Sequence, residues 1–493
     1  MRANRVLSAS ETFSSCMKLT AAILTFLLSL NFTLADDGLH VGTAAVDISP
    51  AVFPIQLRSG PSNYVHDPMH VRAIAFQNGE GRAVVALIDA IGTSREMTDE
   101  AKAIVAERTG WSVDEMLVSA THAHTTPKGG DTSPGRIAYE KTRFDGLVEA
   151  LTQAIGSLEP AQIGFATENE PSEVRNRRWY LKEGMMDKNP FGTYDKVRMN
   201  PNSATIDTPA GPIDPEVCIV DIRNRGGKPL GLIANYSLHY VGNIPTVIKE
   251  DGKAVGMASA DYFGEFSRIF PYRTAGSNPE NHFVAMMTNG TSGDINNIDF
   301  LRVRAPRAPF EQVRQVATKT ADAAWRASEK IESFDTDPIV AMKQQSVTLN
   351  YRSMRQDEVE HALRLLEMTR KERDSLDLHK KFMQYANATV RYSEPNKTED
   401  VIIQAIRIGD QAIVSLPFEV LVEIGLEIKE KSPFPHTFTI SLANGGYGYL
   451  PPPNQFDLGG YETWIGTCRF ERDSSVILTE SLLAMLEELK ALD

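Results

Sequence analysis

Apolar and polar positions follow two periods along this chain. "HVRAIAFQN" (70–78) and "RAVVALIDA" (82–90) have the make-up of paired strands, whereas "TDEAKAIVAERTG" (98–110) spaces its apolar residues as a helix does, with Thr98 as the expected cap and Gly110 as the stop. "EMLVSA" (115–120) predicts a short buried strand and "RFDGLVEALTQAIGSLEP" (143–160) a second helix. "EVCIVDIRN" (216–224) and "PLGLIANYSLHY" (229–240) predict a hairpin across "RGGK", and "HFVAMMTNG" (282–290) a further strand that runs into the loop "GTSGDINN" (290–297). An Ala-rich amphipathic helix is expected from Phe310 to about Glu332. A long charged helix is expected from Gln356 to about Ala386, with His361 and His379 on solvated faces. Strands return in "VIIQAIRIG" (401–409), "QAIVSLP" (411–417) and "TFTISLAN" (437–444), and the helix "SSVILTESLLAMLEEL" (474–489) closes the chain. Without an internal repeat or a Pro/Ser linker, this order predicts one large α/β domain, a mixed sheet with helices packed on it.

Charge and cysteine usage narrow the setting. A net charge of −13 over 493 residues, with only short basic runs, argues against a nucleic-acid partner, which would need clustered Lys and Arg. "MKLTAAILTFLLSLNFTLA" (17–35) has a lysine, an apolar run too short to span a membrane comfortably, and a small residue, Ala35, at its end. It reads as a secretory signal, with Met17 a candidate start and 36–493 the mature chain, secreted or periplasmic. No later stretch predicts a transmembrane helix. Cys218 and Cys468 then remain, enough for one disulfide or two free thiols and too few for a disulfide scaffold or a Cys-rich zinc module.

Four segments place chemically able side chains at the ends of apolar strands, where α/β sheets build their sites. In "VSATHAHTTP" (118–127), His122 and His124 are two apart; in a continuing strand they would share a face and could serve one metal centre or one acid/base pair. Two polar loop residues are the plain alternative. His239 ends the strand of "IANYSLHYVGN", where a lone histidine is often a hydrogen-bonded core residue. Glu419 in "VSLPFEVLVEIG" is expected in the first turn of a helix, a position the helix dipole favours without any catalysis. Tyr447 and Tyr449 follow a glycine turn in "LANGGYGYLPP". Together they supply imidazoles, a carboxylate and a phenol, a shell suited to Zn²⁺.

These segments resemble those of the neutral, non-lysosomal ceramidase family. "VSATHAHTTP" is similar to its T-H-T-H-S-G-P segment, "VRNRR" to N-R-S-P, "NYSLHYVGN" to its second zinc-histidine strand, and "LPFEVLVEIG" to L-P-G-E-F. "TSGDINN" is similar to G-D-V-S-P-N, and "ANGGYGYLPPPNQFDLGGYE" resembles its tyrosine loop, in one collinear order over roughly residues 40 to 490. The resemblance implies a zinc ion held by His122, His239, Glu419 and Tyr449, with His124 as proton acceptor. It implies Arg177 and Tyr461 on the carbonyl side of the substrate, and it adds Asp294 and Asn296 to the catalytic group. Asn296 stands where the family has a serine, and Ser292 is not that serine's equivalent. The family's C-terminal β-sandwich domain has no counterpart before Asp493, so the resemblance covers the catalytic domain. It implies a zinc amidohydrolase for an N-acyl sphingoid lipid or another small amide. A zinc esterase or deacylase, for instance for a carbohydrate ester, and a non-catalytic binding protein are the readings of other classes.

Overall fold

The computed structural model describes residues 38–492 except 128–131, 249–250, 253, 275–282, 303–305, 376–379 and 394–396. The expected secretory signal (17–35) and His379 lie outside the described residues.

Within the unit Leu39–Asp493, eight strands form one mixed sheet. They are β1 (His40–Asp47), β2 (His70–Asn78), β3 (Gly81–Ile88), β4 (Met116–Ala120), β5 (Glu159–Asn169), β6 (Glu216–Asn224), β7 (Pro229–Tyr236) and β8 (Val284–Asn289), in the order β8-β7-β6-β5-β1-β2-β3-β4. The expected hairpins β2–β3 and β6–β7 are antiparallel pairs, while β4 joins β3 and β8 joins β7 in parallel. Four later strands, β9 (Val340–Asn350), β10 (Thr398–Ile408), β11 (Gln411–Ser415) and β12 (His436–Ile440), make a second sheet in that order.

The period-two pattern explains how the sheets stack. Val84, Ala86 and Ile88 of β3 point to a core shared with the helices Arg95–Thr109 and Pro134–Gly156, while Val85 and Leu87 point to the opposite face. There they meet Ile406, Ile408, Ile413 and Phe438 of the second sheet. The far side of that sheet is covered by Leu478, Leu482 and Leu486 of the helix Ser474–Lys490. The layers therefore run helix, sheet, sheet, helix, and strands buried on both faces read as nearly continuous apolar runs. No helix among the described residues is long and apolar enough to cross a membrane.

Five expectations are corrected. Ser94, not Thr98, caps the helix Arg95–Thr109: its hydroxyl accepts from Met97 N, while the Thr98 hydroxyl donates back to Arg95 O. Gly110 does stop it, at φ 76°. The long charged helix is three pieces, Gln356–Glu367, Arg370–Ser375 and Lys380–Arg391. Met368 is extended, and Thr369 and Glu372 cap each other reciprocally, a T-x-x-E box that restarts the helix. The break lets Ala362 and Leu365 pack on Ala386, and it leaves His361 half-buried rather than solvated. Finally, β7 ends at Tyr236, three residues before His239, and Glu419 lies in a two-residue strand, Glu419–Val420, ahead of the helix Val422–Lys431. Cys218 and Cys468 are both buried and free.

Candidate metal centre

Three connections at the strand ends carry the site. After β4 the chain hydrogen-bonds along the extension of β3, Thr121 N to Ile88 O and His122 N to Ala90 O. His122 then takes φ 67°, so the strand does not continue through the pair as the alternation rule assumed. The turn still brings the two rings together, with Nε2 to Nε2 at 3.0 Å. His239 arrives from the segment after β7. Glu419 and Tyr449 are direct register partners in the small parallel pair Glu419–Val420 and Tyr449–Leu450, which puts both on one face.

Hydrogen-bond partners fix which nitrogen each ring offers. His122 Nδ1 lies 2.6 Å from Ile91 O and His239 Nδ1 3.0 Å from Ser292 O. A carbonyl only accepts, so both Nδ1 atoms carry the proton and both Nε2 atoms keep their lone pair. His124 is the opposite case. Arg58 Nη1 lies 2.7 Å from its Nδ1, and a guanidinium only donates, so the neutral ring holds its proton on Nε2. Ligand nitrogens of the three rings all fall within 4.8 Å of one another. Glu419 Oε2 is 3.3 Å from His122 Nε2 and 3.9 Å from His239 Nε2. That oxygen is buried and has no hydrogen-bond partner.

Electrostatics keep this group ready for a cation. Burial, reinforced by Arg177 and the neighbouring rings, drives His239 well below the usual imidazole range. Burial, His122 and Arg58 do the same for His124. Burial would raise the Glu419 carboxyl, but His122, Tyr449 and Arg177 hold it below its ordinary value. Burial and Glu419 keep Tyr449 a neutral phenol. Two unprotonated nitrogens and an unpartnered carboxylate oxygen converging in a buried space fit a divalent metal, and nitrogen with carboxylate oxygen is a donor set zinc takes.

A cleft of about 550 Å³ opens onto this group, within the roughly 300–1,000 Å³ usual for small-ligand sites. His124, Arg177, His239, Tyr449 and Tyr461 all line it. Arg177 donates to Tyr449 Oη at 3.0 Å, to Gly293 O at 2.6 Å and to Glu462 Oε1 at 3.1 Å. Its neighbour Arg178 donates to the other oxygen of Glu462 at 2.6 Å, and all three side chains are buried. Glu462→Gln should therefore strand two buried guanidinium groups and cost about 3–5 kcal/mol in a denaturant titration.

Asp294 and Asn296 are not in the cleft wall. Asp294 is fully buried behind it, accepting from Val422 N at 2.9 Å and Asn176 Nδ2 at 2.8 Å; burial pushes its carboxyl up to about 6. It ties the loop to the start of the helix that follows Glu419. Asn296 donates to Asn200 Oδ1 at 2.6 Å, and Asn200 is the residue that lines the cleft. Tyr447 packs against Phe418 and Phe470, away from the site. The sequence reading missed Arg58, Asn200, Tyr240, whose ring stacks on His124 at 3.8 Å, and Glu462. Tyr240 and Glu462 adjoin His239 and Tyr461 in sequence, a signal that was there to use; Arg58, 66 residues from His124, gave none. Gly293 is a further constraint. A Cβ there would meet Glu419 O at 2.7 Å and Val420 O at 2.8 Å. Gly293→Ala should thus displace the strand bearing Glu419, lowering metal content at a stability cost of about 1–3 kcal/mol.

No protein-family model and no curated protein matches this chain. Among solved structures, the neutral ceramidase from Pseudomonas aeruginosa is similar over 92% of this chain and 75% of that one, with a TM-score of 0.65 and 14% identity. A ceramidase complexed with C2 is similar over 92% and 76%, with a TM-score of 0.66 and 14% identity. The chain is thus an α/β protein with the fold of these ceramidases.

Proposed function

We propose that this chain is a zinc-dependent hydrolase that cleaves an amide bond in a small molecule or lipid, and that it acts outside the cytoplasm after loss of residues 1–35. The observation that carries the reading is the meeting of the unprotonated Nε2 atoms of His122 and His239 with the unpartnered Oε2 of Glu419 at the floor of a ligand-sized cleft.

His122, His239 and Glu419 would hold the ion, with the Tyr449 hydroxyl beside them. A zinc ion so bound would acidify a water and polarise a carbonyl. Arg177, fixed by Glu462 and Gly293 O, and Tyr461, which lines the same cleft, would stabilise negative charge on the carbonyl oxygen. His124 carries the proton. With Arg58 on Nδ1 the ring is the neutral Nε2–H form, which does not give up that proton; the acid that serves the leaving nitrogen is the imidazolium formed once Nε2 has taken a proton. Taking a proton from the attacking water uses the other tautomer, with Arg58 off Nδ1. Asp294 and Asn296 act as positioning residues behind this wall.

The fold shared with ceramidases supports an amide, and an N-acyl sphingoid lipid is the substrate that likeness suggests first. A second reading, esterase or deacylase, draws on the cleft wall. It carries Asp187, Lys188, Asn189, Asp195 and Arg198 beside its rings, so it is not a purely apolar channel. Matched N-acyl amides and esters, assayed with and without a chelator, test the proposal. Chelator-sensitive amide hydrolysis is expected; turnover of esters alone moves the assignment to the second reading, and turnover that ignores the chelator removes the metal from it.

A further inference from the structure

The chain carries a net charge of −13, yet the cleft wall has Arg58, Arg177, Lys188 and Arg198 beside Asp187 and Asp195, with Glu419 at the floor. Not all of these charges are available to a ligand. Arg177 is engaged by Glu462 and Tyr449, and Arg198 pairs with Asp187 at 2.7 Å. Asp195 accepts from Trp464 Nε1 and Asn189 Nδ2. Arg58 differs. It is exposed, it lines the cleft, and among the described residues it pairs with no carboxylate, its contact being Nη1 to His124 Nδ1 at 2.7 Å. That contact occupies one corner of the guanidinium. The side formed by Nε and Nη2, two parallel N–H donors, is left for a planar or tetrahedral oxyanion.

Because Arg58 touches His124, whatever it binds is held within a side chain's breadth of the reacting centre. We propose that the substrate carries a carboxylate or phosphate close to the scissile bond and that Arg58 is the specificity residue that receives it. N-acyl amino acids and acylated amino-alcohol phosphates have this chemistry. The inference rests on the hydrolase reading for the word substrate, but binding alone can test it.

Calorimetric titration of the full chain compares three compounds: N-octanoylglycine, its neutral glycinamide counterpart, and N-octanoyl-phosphoethanolamine. The expected result is that one or both anionic compounds bind at least about tenfold more tightly than the neutral one, the worth of a charge-assisted bidentate contact. The preference should fall as salt is raised. It should collapse towards unity in Arg58→Met and return in part in Arg58→Lys. Which anion gains more tells carboxylate from phosphate. Equal binding of all three compounds, or a preference that survives in Arg58→Met, overturns the proposal. Hydrolysis of the same compounds separates the two claims. Anion preference in binding without any hydrolysis counts against the hydrolase reading alone; hydrolysis without preference counts against the Arg58 site alone.

Discussion

Substituting Glu419 with glutamine, or His239 with alanine, is expected to empty the site of metal and abolish turnover together. Glu419 supplies the one carboxylate oxygen that faces the imidazoles without a hydrogen bond, and its charge is maintained by His122, Tyr449 and Arg177. Glutamine keeps the shape but removes the charge that offsets the cation. His239 Nε2 has no other task, since its Nδ1 is committed to Ser292 O. The loss of metal affinity should exceed the roughly 10- to 100-fold that removing an outer hydrogen-bond partner costs. Metal content and activity, measured on the same preparations, check this. A variant inactive yet fully metallated would show that the ligand set is drawn wrongly.

The second large effect separates the two histidines that stand two residues apart. His122→Ala should lose metal, because its Nε2 is an unprotonated nitrogen 3.3 Å from Glu419 Oε2. His124→Ala should keep its metal and lose turnover by about 10²- to 10⁴-fold, the usual worth of a positioned proton carrier. The opposite partners of their Nδ1 atoms, a carbonyl for His122 and a guanidinium for His124, are what assign the roles. The reversed outcome, metal lost with His124 and kept with His122, would exchange them.

Much of the frame was legible in the sequence because its signals are local. The apolar runs of β2, β3, β6 and β7 marked strands and their hairpins, and Gly110 marked a helix end. The stacking of two sheets was not legible, since a strand buried on both faces looks the same whatever covers it. Nor was the break in the charged helix read, although Thr369 and Glu372 announce it. At the site, His122, His124, His239 and Glu419 come together, and His124, His239, Tyr449, Arg177 and Tyr461 line one cleft. For the first two, the reasoning behind that expectation was wrong in part. The strand stops at Ala120, as its apolar run had marked, but a left-handed residue, not strand alternation, turns the rings together. Asn296 and Asp294 lie behind the cleft wall, a placement that a loop's sequence does not give. Arg58 was invisible because its link to His124 is made only by the fold.

The central claim is that this buried group is a zinc site serving hydrolysis, and elemental analysis of the purified wild-type chain tests it most directly. One zinc per chain is predicted, with amide hydrolysis lost on chelation and restored by zinc. A protein without zinc that neither takes it up nor needs it for activity would contradict the account.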